Sequence, residues 1–92
     1  MSTSAPDNVS LLTFPVEFPI KVMGRTQPDF AQTMLQIVQS GAPDFDPGSI
    51  EMRSSREGRY LSLTFTIRAR SREQLDALYH ALSEHPMVSM VL

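Results

Sequence analysis

The chain has 92 residues, of which 41% are hydrophobic and 20% are charged, and its formal net charge is −2. This length and composition are typical of one globular domain with one modest core. There is no cysteine, which excludes disulfides, thiolate metal sites and cysteine nucleophiles. Since cysteine-free chains suit a reducing compartment, we expect a cytoplasmic protein.

The chain begins with the polar stretch MSTSAPDNVS, from which we predict a flexible tail over residues 1–16 and a folded domain over residues 17–92. This stretch lacks the basic and long apolar regions of a signal peptide. No apolar run approaches the roughly 18 residues needed to span a bilayer. Three apolar side chains before the domain are candidates for docking on it: Leu11, Leu12 and Phe14.

The first predicted strand covers residues 17–24, where Phe18, Ile20 and Val22 alternate with other side chains. A helix is predicted over residues 28–40 because its apolar residues follow helical spacing. That apolar stripe consists of Phe30, Met34, Ile37, Val38 and Gly41.

The ends of this first helix carry recognisable signals. Thr26 followed by Asp29 resembles a capping box, and Pro28 is tolerated in a first helical turn. At the other end, Gly41 is predicted to stop the helix by adopting a left-handed conformation.

The middle of the chain reads as a β-hairpin. A weakly patterned strand is predicted over residues 49–55, with Ile50 and Met52 pointing inward, and Gly58 is expected to make the turn. Residues 60–70 then alternate strictly between apolar and polar side chains, which predicts a strand with one buried and one wet face. The polar face carries Tyr60, Ser62, Thr64, Thr66, Arg68 and Arg70.

A second helix and a last strand complete the pattern. Ser71 followed by Gln74 fits a capping box, and the helix is predicted to run to about residue 84. Residues 87–92, MVSMVL, read as a strand without any charged side chain, which is a poorly protected sheet edge. Such an edge is covered by the N-terminal segment or paired with another chain, so both a monomer and an edge-paired homodimer remain open.

The order β-α-β-β-α-β predicts an α+β fold, the ferredoxin-like sandwich, with an antiparallel four-stranded sheet in the order 4-1-3-2. Because βαβ crossovers are right-handed, both helices are expected on the same face of this sheet. The other face is then open to solvent.

Basic residues are concentrated in the second half of the chain. Residues 53–72 hold six of the eight basic side chains and one acid, a balance of +5, whereas the other seventy-two residues carry −7. Arginine forks suit carboxylates and phosphates, so this cluster is a candidate docking surface for an acidic partner, with a solvated sheet face as the alternative. Its proposed partner-binding residues are Arg53, Arg56, Arg59, Arg68 and Arg70.

Several motifs together resemble the YbeD-like family of small bacterial proteins: KVMG, RSSREGRYLSLTFTI, EQLDALYHAL and VSMVL. The resemblance covers about residues 14–92. It implies a fold similar to the ACT regulatory domains of amino-acid metabolic enzymes and a regulatory role in the bacterial cytosol. Some members carry a name linked to lipoate metabolism. The resemblance transfers no catalytic residue.

In ACT domains an effector binds at the loop between the first strand and the first helix. By this resemblance an alternative ligand site would comprise Gly24, Arg25, Thr26 and Asp29. However, Asp29 stands where ACT domains usually have glycine, and its side chain would obstruct the close approach of a ligand to the backbone.

Catalytic and metal chemistry find little support in the sequence. His80 and His85 are five residues apart, a spacing that does not form a helical metal pair, and no serine or acid is placed to make a nucleophile. We therefore expect no enzyme activity, no metal and no cofactor. Nucleic-acid binding is disfavoured because the third strand offers one aromatic residue, Tyr60, for base stacking.

The methionines divide into two groups. Met34 and Met52 are expected to fill the core, whereas Met23, Met87 or Met90 could form an adaptable contact surface at the sheet edge. The function predicted from the sequence is a small regulatory or protein-interaction module that docks through the open sheet face and the arginine-rich hairpin. An ACT-like metabolite sensor is the alternative.

Overall fold

A computed structural model describes residues 12–92. Its elements follow the predicted order, with a single 3-10 turn over Pro47–Ser49 added before the second strand. The elements are β1 (Val16–Arg25), α1 (Phe30–Gly41), β2 (Glu51–Ser54), β3 (Tyr60–Ala69), α2 (Arg72–Ser83) and β4 (Val88–Val91). The four strands form one antiparallel sheet in the order β2-β3-β1-β4, which confirms the predicted fold and strand order.

The core lies between one face of the sheet and the two helices. Strand β3 supplies Leu63, Phe65, Ile67 and Ala69, all fully buried, as its strict alternation predicted. Opposite them the helices bury a second row of side chains. This row comprises Phe30, Met34, Val38, Leu75, Leu78, Tyr79 and Leu82.

The segment before β1 also contacts the domain. Leu12 and Phe14 are partly buried against the core. The docking expected for Leu11, and residues 1–11 of the tail predicted over residues 1–16, lie outside the described residues.

The start of α1 differs from the prediction. The helix begins at Phe30, after Pro28, and the side chain of Asp29 makes no capping hydrogen bond at its N-cap position. The Thr26 hydroxyl instead donates to the Gly58 carbonyl, 2.6 Å away. The predicted capping box is therefore wrong, because the hairpin offers Thr26 a partner that the local sequence does not reveal.

Gly41 ends α1 without the predicted left-handed conformation, which among the described residues occurs at Gly58 alone. A Cβ atom on Gly41 would lie 2.6 Å from Leu78 Cδ2, so this glycine allows α1 and α2 to approach each other. The expectation was wrong because helix-to-helix packing, and not chain reversal, requires the glycine.

The second helix begins as the sequence predicts. Gln74 N–H donates to Ser71 Oγ at 3.1 Å, which confirms Ser71 as the N-cap. The Gln74 side chain reaches back one residue further than a capping box requires, since its Oε1 accepts from Arg70 N–H at 2.6 Å.

Met52 was predicted to point into the core, and this is wrong. It lies opposite Leu63 on the helix side of the sheet, yet it is 57% exposed. The reason is its place on an edge strand whose four residues are all exposed, beyond the cover of the helices.

Candidate functional site

The sheet face turned away from the helices is open, and its side chains are fixed by the strand register. Met23 lies opposite Met90 on one side and Ser62 on the other, and Ser62 in turn lies opposite Arg53. One row of side chains therefore crosses all four strands. The open face as a whole carries Glu17, Pro19, Lys21, Met23, Arg25, Glu51, Arg53, Tyr60, Ser62, Thr64, Thr66, Arg68, Met90 and Leu92.

Three neighbouring concavities lie along this face and the hairpin, and together we call them the trough. The first, about 410 Å³, is lined by Lys21, Glu51, Met52, Arg53, Ser62 and Thr64. The second, about 200 Å³, is lined by Met23, Arg53, Ser54, Ser55, Tyr60, Leu61 and Ser62. The third, about 280 Å³, is lined by Ser55, Arg56, Glu57, Arg59 and Tyr60. Because neighbouring concavities share lining residues, the trough runs from the middle of the sheet to the hairpin.

The five arginines predicted to bind a partner differ in whether they already form an ion pair within the chain. Among the described residues, Arg53, Arg56 and Arg68 have no ion-pair partner. Arg59 Nε lies 3.3 Å from Glu57 in the same hairpin, and both side chains are exposed. Arg70 Nη2 lies 2.5 Å from Asp44 Oδ2 in the loop after α1, so Arg70 already has an acidic partner within the chain.

Hydrogen bonds hold the arginine-rich hairpin at its base and near its tip. Gly58 takes the positive φ of 74° that the turn requires, and Ser55 exchanges hydrogen bonds with Tyr60 through its backbone and its hydroxyl. The tip is also tied to the end of β1, because Thr26 N–H donates to the Arg59 carbonyl at 2.8 Å. The basic residues of the hairpin are thus held beside the open face.

The four residues of the alternative ligand site point in different directions. Gly24 is buried within β1, where an added Cβ would collide with the Met87 carbonyl and lie 2.6 Å from the Phe30 ring. Arg25 lies on the open face, with its guanidinium carbon 5.8 Å from the centre of the Tyr60 ring. Thr26 bonds to the hairpin, and Asp29 is exposed at the start of α1.

The histidines lie outside this face and serve α2 and its end. His80 Nε2 lies 3.8 Å from Glu84 Oε1, one helical turn away. His85 Nδ1 accepts from Met87 N–H at 3.1 Å, where the chain turns towards β4. Over residues 12–92 there is no cluster of three or more His, Cys, Asp or Glu that could hold a metal ion.

Sequence reasoning missed two features of the site. The first is the contact of Arg25 with Tyr60, which are opposite each other only because of the β1–β3 register. The second is an apolar strip made by Met23, Met90 and Leu92 on the open face. The sequence named Met23 and Met90 as possible contact residues together with Met87, which instead packs against the core.

These features define a class: a small ferredoxin-like sandwich whose open sheet face carries a cationic trough. The chain matches the model of the family described as "Protein of unknown function (DUF493)" over residues 9–92, and it therefore belongs to that family. This confirms the resemblance to the YbeD-like proteins.

Its relatives are bacterial. A UPF0250 protein of Bordetella pertussis is 60% identical over 87 residues, which cover 95% of this chain and 96% of the relative. A UPF0250 protein of Nitrosomonas europaea is 59% identical over 83 residues, 90% of this chain and 95% of the relative. One from Ralstonia nicotianae is 56% identical over 89 residues, 97% of this chain and 92% of the relative.

Neither helix within residues 12–92 has the length and apolar character needed to cross a bilayer.

Proposed function

We propose that this protein is a small non-catalytic interaction module of the bacterial cytoplasm, which binds an acidic segment of a partner protein through its open sheet face and arginine-rich hairpin. The observation that carries this proposal is the separation of charge between the two sides of the molecule. Among residues 12–92, the open face and hairpin carry six cations and three acids. They are Lys21, Arg25, Arg53, Arg56, Arg59 and Arg68, with Glu17, Glu51 and Glu57.

The helix side of the molecule carries a net negative charge. Around the two helices and their loops, two cations, Arg70 and Arg72, stand against six acids. These acids are Asp29, Asp44, Asp46, Glu73, Asp76 and Glu84. A molecule with this charge separation attracts an acidic partner to its open face and not to its helices. The complementary electrostatic potentials of the two surfaces also raise the association rate.

The cations of the open face are available for binding. Arg53, Arg56 and Arg68 are free of ion pairs among residues 12–92, and the planar guanidinium group of each can donate two parallel hydrogen bonds to a carboxylate. From Thr64 to Tyr60 the trough follows β3 for about 13 Å, enough for an extended segment of about five residues. The occupant that fits is therefore a short acidic stretch of polypeptide.

A nucleic acid fits this face less well. Sheet surfaces that bind single strands stack bases on several exposed aromatic rings. Within residues 12–92, Tyr60 is the one aromatic residue on the open face, and Arg25 lies over it. The remaining side chains of β3 on this face are hydroxyls and Arg68.

A metabolite site at the loop after β1 is also less favoured. A ligand that approached the Gly24 backbone would have to displace the Phe30 ring, which is fully buried against it. The carboxylate of Asp29 stands at the start of α1, where an anionic ligand would otherwise use the positive end of the helix.

The test is a titration of the full-length protein with hexaglutamate peptide, followed by amide chemical shifts. We expect shifts that cluster on the open face and hairpin, and binding that weakens as salt rises from about 50 to about 500 mM. Reversing two charges, Arg53→Glu with Arg56→Glu, should weaken binding at least about tenfold.

The control is Arg72→Glu, which reverses a charge on α2 and should change the affinity by less than about twofold. Shifts confined to α1 and α2 would contradict the proposal. So would an oligoribonucleotide of the same charge that binds the open face more tightly than the peptide does.

A further inference from the structure

Within the trough, one recess differs in character from the rest. It is the concavity of about 200 Å³ between Met23 and Tyr60, above Leu61 and Ser62. Its lining is mostly apolar, whereas the adjoining concavity around Lys21 is mostly polar. Pockets for whole small ligands usually measure about 300–1,000 Å³, so this recess is the size of one large apolar side chain.

The walls of the recess suit such a side chain. Met23 is unbranched and can adapt its shape to a guest, and its sulfur favours contact with aromatic rings. Tyr60, 43% exposed, offers a flat ring on the other side. Large rigid contacts of this kind supply the anchor positions of many interfaces.

Two guanidinium groups lie close to the recess, on different strands. Arg25, on β1, lies over the ring of Tyr60, which lines the recess, with its guanidinium carbon 5.8 Å from the ring centre. Arg53, on β2, lines the recess itself beside Ser62. Neither arginine has an ion-pair partner among residues 12–92. An apolar guest in the recess would therefore lie next to Arg53 and near the guanidinium group that covers Tyr60.

We propose that this recess binds one large apolar side chain of the acidic partner segment, while carboxylates on either side of that residue engage Arg25 and Arg53. The proposal rests on the proposed function, because it assigns the partner segment a sequence pattern: an apolar anchor between acids. Apolar burial then supplies affinity, and the two charge pairs fix the register of the segment.

The experiment compares three acetylated and amidated peptides, EEFEE, EEAEE and KKFKK, by titration into the full-length protein. We expect EEFEE to bind at least about tenfold more tightly than EEAEE, as the burial of one phenylalanine side chain predicts. Amide shifts induced by EEFEE should centre on Met23 and residues 60–62. No shift at these residues is expected with KKFKK.

Two variants locate the anchor. Met23→Gln and Tyr60→Ser should each remove most of the advantage of EEFEE over EEAEE. The matched control is Met90→Gln, because Met90 lies beside Met23 on the same face but does not line the recess. A thermal melt of each variant shows that it is folded, and either of the two recess variants is sufficient for the comparison.

The outcomes separate this inference from the proposed function. If EEFEE and EEAEE bind the open face equally well, the recess is not an anchor site, although the acidic docking surface stands. If neither acidic peptide binds the open face, both proposals are overturned. Tight binding of KKFKK at the recess would overturn the charge pairing while retaining an apolar site.

Discussion

Gly24 shows how one residue can connect three elements. It lies in β1 at an irregularity of the β1–β4 register, and the Met87 carbonyl and the Phe30 ring fill the space where a side chain would stand. The family resemblance implied that Gly24 could belong to a ligand site, but these contacts explain the glycine by close packing. This residue therefore belongs to the core and not to the candidate site.

Gly24→Ala is expected to lower the free energy of unfolding by about 1–3 kcal/mol, because the added methyl group must displace a backbone carbonyl and a buried ring. Urea unfolding would measure this. The control is Gly48→Ala, where the added Cβ meets only Asp46 Oδ1 at 3.4 Å and should cost less than about 0.5 kcal/mol. Equal losses in the two variants would rule out the packing explanation.

Tyr79 is a buried tyrosine at the interface of α2 with the sheet. Burial raises the pKa of its phenol above the usual 10.0. Its hydroxyl donates to the Leu92 carbonyl at 3.1 Å, and its ring meets Phe18 edge to face. The neutral phenol thus links α2 to the end of β4.

The direction of the pKa shift gives a prediction for alkaline pH. Since the folded pKa is higher than the unfolded one, stability is unaffected well below pH 10 and is lost as pH rises through 10.0 towards the folded pKa. Urea unfolding at about pH 8.5 and about pH 10.5 should show this loss, and Tyr79→Phe should reduce it. The control Tyr60→Phe, at an exposed ring, should keep the loss; if it reduces the loss as much as Tyr79→Phe does, the assignment fails.

Among the helices and strands, the sequence predicted correctly those features that depend on residues close together in the chain. The strict alternation over β3 and the Ser71 cap of α2 each depend on neighbours within a few residues, and the structure confirms both. The start of α1 was placed too early, because Thr26 binds a hairpin 32 positions away. Met52 was misplaced because alternation does not show how far the helices extend over the sheet.

The bond between Thr26 and Gly58 joins two elements and is testable. Thr26→Val removes the hydroxyl and should cost about 0.5–1.5 kcal/mol of stability, and it should speed amide hydrogen exchange over the hairpin at residues 58–60. The matched control is Thr66→Val on the exposed face of β3, where none of the hydrogen bonds described for residues 12–92 involves its hydroxyl. If both variants exchange alike, the hairpin does not depend on Thr26.

For the whole molecule, the sequence predicted which face is open and that it is basic, because β3 alternation and arginine positions are both readable along the chain. It did not predict the recess, since Met23 and Tyr60 are 37 positions apart and meet only through the register of β1 and β3. Nor did it show that Asp44, in the α1–β2 loop, forms an ion pair with Arg70, which lies between β3 and α2. The composition of the site was therefore predictable, and its geometry was not.

The two edges of the sheet differ in their protection. On β2, Glu51 and Arg53 place charges along the edge, which disfavours pairing with another chain. On β4 there is no charged side chain, and Met90 is 49% exposed. Leu92 exchanges both backbone hydrogen bonds with Lys21, so its neighbour Val91 directs its N–H and C=O away from β1.

We therefore expect two copies of the chain to pair weakly through antiparallel β4 strands, with their Met90 side chains meeting on the open face. Because β4 has four residues, the buried area is small, and the dimer should appear only at concentrations on the order of 0.1–1 mM. Sedimentation equilibrium would detect it. Met90→Lys should abolish it by placing a charge at the edge, whereas Met52→Lys, the same change on β2, should leave it intact. A strict monomer at about 1 mM, or a dimer lost equally in both variants, would contradict pairing through β4.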